Sequence, residues 1–284
     1  MHIILIGDVH GCIEELKELT DKIANQYREV KLIFVGDLID KGPNSAEVLD
    51  YVYRIDGMAP NALFRKGHFN VSVLKGNHEI KALRWHAHEA KVRSALAAGS
   101  HYRNPMQVKP NLAAEWGSFA PSAVEWLSNL SLRERFAHDG SIPLYAVHAG
   151  CIPGRPVERQ SPESLTMVRW VDDAGRMVPL QRDAAGNLSM QKPPEVHDWM
   201  DRWDQPQHIV YGHAPRMDVQ IDKAPSGAVC FGIDTACVFG NYLTALVWEA
   251  LDDADPGFKV DLQKYSILQV RAHKIYCDDR GGLD

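Results

Sequence analysis

The chain has 284 residues, of which 24% are charged and 45% hydrophobic, and its net charge is −6. These are ordinary values for a soluble globular protein with one large domain or two small ones. The acidic balance argues against a broad basic face for nucleic acid, and no apolar stretch approaches the roughly 20 residues that a membrane-spanning helix needs.

Ile3 to Ile6 is a short continuous apolar run, the pattern of a strand buried on both faces. Within Cys12 to Tyr27, the residues Leu16, Leu19, Ile23 and Ala24 recur at helical spacing. Lys31 to Val35 predicts a second buried strand, and Ser45 to Ile55 a second helix carrying Val48, Leu49 and Val52. Asp56 to Phe69, with its glycines and Pro60, reads as a loop insertion. A third strand is expected at Val71 to Leu74, then a polar, alanine-rich helix from Glu79 to Ala98 that Gly99 stops. This α/β alternation predicts right-handed crossovers and a mostly parallel central layer. Ser100 to Leu130 reads as largely helical, with Trp116, Phe119, Val124, Trp126 and Leu127 as core candidates. It is expected to form, over about residues 80–130, a helical cap on one end of the sheet.

Leu144 to Val147 and His208 to Tyr211 are further buried strands, and Pro153 to Pro194 reads as loops around short elements. Ala228 to Ile233, Leu243 to Trp248 and Phe258 to Val270 are expected to form an antiparallel set. Chemistry-bearing residues extend from Asp8 to His213, so residues 1–275 are expected to be one domain, with residues 276–284 as a frayed tail. The five cysteines include no CxxC pair and read as incidental thiols of a reducing compartment. The N-terminal apolar run lacks the length and basic lead of a signal peptide, so a cytoplasmic location is expected.

Polar motifs stand directly behind the apolar runs: Gly7-Asp8-Val9-His10-Gly11, Gly36 to Pro43, and Gly76-Asn77-His78-Glu79. His148 and His213 follow later strands in the same way. Open α/β sheets gather ligands beyond the carboxyl ends of their strands, so five strand ends aim at one place. Asp8, His10 and Asp37 are candidate ligands of one divalent ion. Asp37, Asn77, His148 and His213 are candidates for a second, with the two oxygens of Asp37 as the bridge. Such mixed donors suit Mn²⁺, with Fe or Zn²⁺ as alternatives, better than Ca²⁺. Two ions about 3.5–4 Å apart can hold a hydroxide for direct attack and clamp phosphoryl oxygens. His78 is the candidate general acid and Asp40 the partner of its other ring nitrogen. Lys41, Lys75 and Asn77 are candidates for binding phosphate. Glu79 reads as a helix N-terminal charge or a support for a ligand. His86 and His88, two apart on a helix, read as an exposed face.

The motifs GDVHG, GDLIDKGP and GNHE, with the later HAG and YGHAP segments, resemble the signature of calcineurin-like metallophosphoesterases, specifically their phosphoprotein-phosphatase branch. The segment from Ile233 to Gly240, followed by Leu243 to Leu246, is similar to the final sheet region of bacterial members. The resemblance implies a four-layer α-β-β-α sandwich, two Mn²⁺-type ions and phosphoester hydrolysis without a phosphoenzyme. It also suggests Arg169 as a further phosphate ligand. Lys41 and Lys75 stand where the family usually has arginine, and a lysine cannot form the planar fork that grips two phosphate oxygens. Asp40 keeps an acidic residue that the dinucleoside tetraphosphatase branch typically lacks.

The leading expectation is therefore a phosphomonoesterase acting on phosphoserine, phosphothreonine or a small phosphoester. Dinucleoside polyphosphates or nucleic-acid end phosphates are the alternative substrates for the same site. A phosphate-binding scaffold without activity is the third reading, disfavoured because every ligand position is filled.

Overall fold

The computed structural model describes residues 1–55, 68–181, 189, 191–251 and 258–278. In chain order the strands are β1 (His2–Ile6), β2 (Glu29–Phe34), β3 (His68–Val73), β4 (Arg133–His138), β5 (Pro143–Val147), β6 (Trp170–Val171), β7 (Met177–Val178), β8 (His197–Asp198), β9 (His208–Tyr211), β10 (Gln220–Lys223), β11 (Val229–Gly232), β12 (Tyr242–Glu249), β13 (Phe258–Lys259) and β14 (Tyr265–Arg271). The α-helices are α1 (Ile13–Gln26), α2 (Ser45–Tyr53), α3 (Asn77–Ala97), α4 (Pro110–Gly117), α5 (Pro121–Asn129) and α6 (Pro162–Met167).

One sheet has the order β14-β12-β1-β2-β3, a second β10-β11-β9-β5-β4-β13, and a small third β7-β6-β8. β1, β2 and β3 are mutually parallel, as are β5, β9 and β11. Those are the strands whose carboxyl ends carry the polar motifs.

Strand alternation builds the layers, because successive side chains point to opposite faces. Ile4 and Ile6 of β1, Leu32 and Phe34 of β2, and Ala245 and Val247 of β12 face one core, shared with Leu16, Leu19 and Ile23 of α1 and Val48 and Val52 of α2. Ile3, Leu5, Ile33, Leu246 and Trp248 face the other way and meet Phe136, Leu144, Ala146, Val210 and Phe231 of the second sheet. The outer face of that sheet, through Tyr145, Val147, Ile209 and Tyr211, packs on Leu165, Val168, Trp199 and Trp203. The four layers follow: helices, sheet, sheet, and a thin outer layer of α6, short 3-10 turns and the small third sheet. Both central sheets are buried on both faces, which is why their strands read as continuous apolar runs.

The structure departs from the sequence expectation at several places. The last three apolar regions are not one antiparallel set. β11 pairs in parallel with β9 in the second sheet, and the Phe258 to Val270 region divides into β13, beside β4, and β14, beside β12. Apolar runs encode burial, not partners. β4 escapes the sequence pattern because Arg133, Glu134 and Arg135 open it and a register shift at Arg135 to Ala137 breaks its alternation. The Ser100 to Leu130 region holds two short helices, each opened by a proline, after a non-helical stretch over 100–109. Most of the loop predicted at Asp56 to Phe69 lies outside the described residues, as does 279–284 of the predicted tail. The start of that tail is anchored: the backbone N–H groups of Tyr276 and Cys277 donate to the Val238 carbonyl, and the Tyr276 hydroxyl to Glu15. Among the described residues no helix is long and apolar enough to cross a membrane.

Candidate active site

The turns after β1, β2, β3, β5 and β9 converge at one edge of the two sheets. The backbone N–H groups of Val9 and His10 donate to the Asp37 carbonyl, and that of Gly212 to the His148 carbonyl, so the loops brace one another. Among the described residues, the non-glycine residues with left-handed backbone are His10, Asp37, Asp40, Lys41 and His213, all in these loops, and Ala236, in the turn between β11 and β12 (φ between 47° and 70°). Such conformations cost on the order of 1–3 kcal/mol each and persist where the surroundings impose them, characteristically at functional sites. Gly212 and Gly76 lie so close to the cluster that a Cβ on either would overlap Asp8 Oδ1 or Asp37 Oδ1 respectively, so only glycine fits there.

Asp37 is the centre of the arrangement. Its Oδ2 lies 3.6 Å from His10 Nε2 and 3.8 Å from His78 Nε2, and its Oδ1 lies 3.3 Å from His148 Nε2. Asp8 approaches His10 at 3.9 Å and accepts the His213 backbone N–H at 3.0 and 3.1 Å. Asn77 Oδ1 lies 3.0 Å from His148 Nε2 and 2.8 Å from His213 Nδ1. All six residues picked from the motifs as ligand candidates thus stand together. Two groups, His10–Asp37–His78 and Asp37–His148–His213, have the spacing to hold a metal ion.

The remote ring nitrogens set the tautomers. His10 Nδ1 faces the Ile39 carbonyl at 2.9 Å, His148 Nδ1 the Val35 carbonyl at 3.0 Å, and His213 Nε2 the Met167 carbonyl at 3.3 Å. A carbonyl only accepts, so each of these nitrogens carries a proton; on His10 and His213 the nitrogen turned to the cluster presents a lone pair, and on His148 it does so once a second proton has left. Three histidine nitrogens therefore face the oxygens of Asp8, Asp37 and Asn77, those of His10 and His213 with lone pairs and that of His148 with a proton a cation can displace. Acceptors facing acceptors repel unless a proton or a cation lies between them, and this donor set fits divalent cations with nitrogen and oxygen ligands.

Protonation behaviour agrees. Burial draws His10 and His213 well below their ordinary value, helped by Lys41 and Arg169 respectively, which keeps both neutral. Burial pushes Asp37 up, but His148 and His78 outweigh it and hold that carboxyl well below its usual range. Asp8 is pushed well up by burial and by Asp234. Burial lowers His148, yet Asp37, Asp8 and Glu79 together raise it to about 9. Folding thus holds a proton on His148 that the unfolded chain, with a value of 6.5, releases earlier. That contribution is complete below 6.5 and lost as pH rises through about 9. Metal-free protein should accordingly melt at progressively lower temperature from pH 6.5 to 9, and saturating divalent metal should flatten the dependence by displacing that proton. Thermal scans with and without chelator check this.

His78 and Asp40 pair as expected, with Nδ1 to Oδ2 at 2.6 Å. The other Asp40 oxygen accepts the indole N–H of Trp116 at 2.7 Å, a partner that its reading as a core residue did not reveal. Lys41 Nζ reaches to 2.8 Å from His10 Nε2 and lies over the Phe239 ring at 5.5 Å, inside the site. Lys75 does not join it: its amine donates to the Ser128 carbonyl on α5 at 2.9 Å, so the structure turns this phosphate candidate away from the cluster. Arg169 comes to the rim, where its guanidinium donates to the His213 carbonyl; burial draws it down to about 10 against the pull of Asp234, Asp8 and Asp37.

Glu79 is a fully buried clamp. Its carboxylate accepts the backbone N–H groups of Asp37, Leu38 and Gly76 at 2.8–2.9 Å, tying the second motif to the third. Burial, then Asp37, raises it to about 7. Asp234, also buried, faces Asp8 and Arg169 and had drawn attention only through the family resemblance. His86 and His88 are not on an open face. His86 is half-buried against Trp85 and Phe119, and His88 stacks on Tyr102 with Nδ1 2.7 Å from its hydroxyl.

The model of the calcineurin-like phosphoesterase family matches residues 1–225. The chain belongs to the calcineurin-like phosphoesterase family. Among curated members of that family, it is 30% identical to the bis(5'-nucleosyl)-tetraphosphatase PrpE (asymmetrical) of Geobacillus thermodenitrificans, over 87% of this chain and 90% of the relative. It is 27% identical to the symmetrical bis(5'-nucleosyl)-tetraphosphatase of Serratia proteamaculans, over 88% and 92%. A solved phosphoesterase structure provisionally assigned as a diadenosine tetraphosphatase superposes with a TM-score of 0.60 at 24% identity, over 95% of this chain and 93% of that one. A protein serine/threonine phosphatase of Saccharomyces cerevisiae gives 0.50 at 16% identity, over 95% and 79%. The last two likenesses concern the calcineurin-like fold.

Proposed function

We propose that this phosphoesterase hydrolyses dinucleoside polyphosphates at a site for two divalent ions, with residues 1–275 acting as one unit in the cytoplasm. The observation that carries the metal reading is the convergence of three histidine nitrogens, two with lone pairs and that of His148 with a displaceable proton, on the oxygens around Asp37. Asp8, His10 and Asp37 would hold one ion, and Asp37, Asn77, His148 and His213 the other; Mn²⁺ suits these donors, with Fe and Zn²⁺ as alternatives. When bound, such a pair supplies charge stabilisation at the phosphoryl oxygens and a nucleophile from water at neutral pH.

The protein's own groups do the rest. Asp37 faces both halves of the cluster with its two oxygens. Lys41 brings a point charge to a phosphate oxygen, and Arg169 a second one from the rim. Asp40 holds His78 Nδ1–H, which leaves His78 Nε2 to give its proton to a departing oxygen basic enough to need one as the P–O bond breaks.

The substrate class rests on the relatives, which align over nearly nine-tenths of this chain and of themselves and are tetraphosphatases of both the asymmetrical and the symmetrical kind. This moves the preferred substrate from phosphoprotein, which the retained Asp40 favoured, to dinucleoside polyphosphate. The phosphomonoester reading remains second, and the His78–Asp40 pair supports it. An alkoxide leaving group needs a proton, whereas a nucleotide phosphate, with a second pKa of about 6, departs without one.

The test is a panel run on Mn²⁺-loaded protein: diadenosine tetraphosphate, a phosphoserine peptide and an RNA 5′-phosphate. Diadenosine tetraphosphate should lead in kcat/KM by about tenfold or more, which is 1.36 kcal/mol of transition-state discrimination. Two diphosphates as products would mark symmetrical cleavage, and a triphosphate with a monophosphate asymmetrical cleavage. A phosphopeptide that outruns it by the same margin would replace the proposal with the phosphoprotein reading.

A further inference from the structure

Asp40 is gripped from two sides. Its Oδ2 is bound by His78 at 2.6 Å, and its Oδ1 by the Trp116 indole at 2.7 Å, from a residue 76 positions further along the chain. Trp116 has no exposed surface and Asp40 is 3% exposed. An indole N–H can only donate, so the oxygen it reaches is held as its acceptor and the other is left for the imidazole. Without that donor a buried carboxylate oxygen would be unsatisfied, and the carboxylate would be free to rotate toward a different compromise.

Trp116 is itself seated by the cap. It meets Trp85 of α3 edge-on at 5.9 Å, the Lys81 ammonium lies 5.7 Å from its ring centroid, and its backbone hydrogen-bonds to His86. From the Asp40 side, Ser45 Oγ accepts the Asp40 backbone N–H at 2.8 Å, and Asp40 sits at φ 70°. The carboxylate thus has a fixed base and two fixed partners.

We infer that Trp116 is a positioning residue for leaving-group protonation: through Asp40 it holds His78 in the orientation that presents Nε2 to the departing oxygen, so that the seating of the α3–α4 cap sets the orientation of the acid. In the step itself a water oxygen forms its bond to phosphorus as the P–O bond to the leaving group breaks, with that bond's electron pair passing to the leaving oxygen. The His78 Nε2 proton goes to that oxygen, and the neutral imidazole, still bonded to Asp40 through Nδ1–H, regains a proton from water. The inference rests on His78 as the acid, but not on which phosphoester is the natural substrate.

Trp116→Phe keeps an aromatic ring and deletes the donor. Kinetics would be read on phosphomonoesters of graded leaving-group basicity. For alkyl phosphates kcat should fall by about 10- to 100-fold, the equivalent of losing one hydrogen bond to a charged group, with KM unchanged. For an aryl phosphate with an acidic phenol, kcat should change little. A uniform loss across the series would make Trp116 a structural residue only and overturn the inference. So would a variant whose dependence on leaving-group basicity is the same as that of the wild type. A second readout needs no activity and survives failure of the variant to fold: the Trp116 indole N–H resonance of isotope-labelled, metal-free protein. It should move in Asp40→Asn; an unmoved resonance means the contact is not formed. The substrate panel can come out either way without altering these outcomes, so the two proposals fail separately.

Discussion

Replacing His78 with Asn should lower hydrolysis of a phosphoserine peptide by about 10²- to 10⁴-fold, the usual contribution of a positioned general acid, and hydrolysis of diadenosine tetraphosphate by less than about tenfold. The difference follows from the leaving groups. Serine leaves as a strongly basic alkoxide and must be protonated as the bond breaks, whereas a nucleotide leaves as a phosphate that is already a weak base. Asn keeps much of the size of the imidazole and leaves the His78 backbone N–H, which donates to Asp37 Oδ1 at 3.1 Å, in place. The measurement is kcat for both substrates on metal-loaded protein. An equal loss on both would mean that His78 serves binding or the integrity of the site, and an unchanged rate on the phosphopeptide would remove it from proton delivery altogether.

Asp37→Asn should be more damaging and should not discriminate. The substitution keeps the shape and one acceptor oxygen but removes the charge that faces His10, His78 and His148 together. It also places an amide N–H₂, a donor that cannot ligate a cation, where a carboxylate oxygen stood. Several kcal/mol of transition-state charge stabilisation are at stake, so kcat/KM should fall on the order of a thousandfold for every substrate. A variant that lost only one substrate class, or retained wild-type rates, would show that Asp37 is not the shared centre of the site.

Much of this was legible in the sequence because the fold places its chemistry at strand ends. Buried parallel strands appear as apolar runs, and the polar residue after each run marks the edge where ligands gather, which located Asp8, Asp37, Asn77, His148 and His213. The His78–Asp40 pair was readable for the same reason, both members lying in such turns. What the sequence concealed lies between elements distant in the chain. Trp116 looks like any core tryptophan until α4 is seated against the turn that carries Asp40. The buried role of Glu79 depends on three backbone N–H groups from two loops, and a sequence does not display backbone N–H directions. The same limit applies to Lys75, whose position beside a motif suggested phosphate, while its amine goes to a helix-end carbonyl. The division of the late strands between two sheets was hidden because both sheets bury both faces, so the residues of β11 and β12 look alike whichever neighbour they take.

The most direct test of the dinuclear reading is calorimetric titration of the chelator-treated protein with Mn²⁺, with bound metal counted per chain. Two ions per chain are expected, with release of protons on binding, since His148 must give up the one it holds, and with recovery of hydrolysis as the sites fill. A chain that binds no divalent metal, or that hydrolyses its substrates at full rate after chelation, would contradict the assignment of the Asp37 cluster as a metal centre.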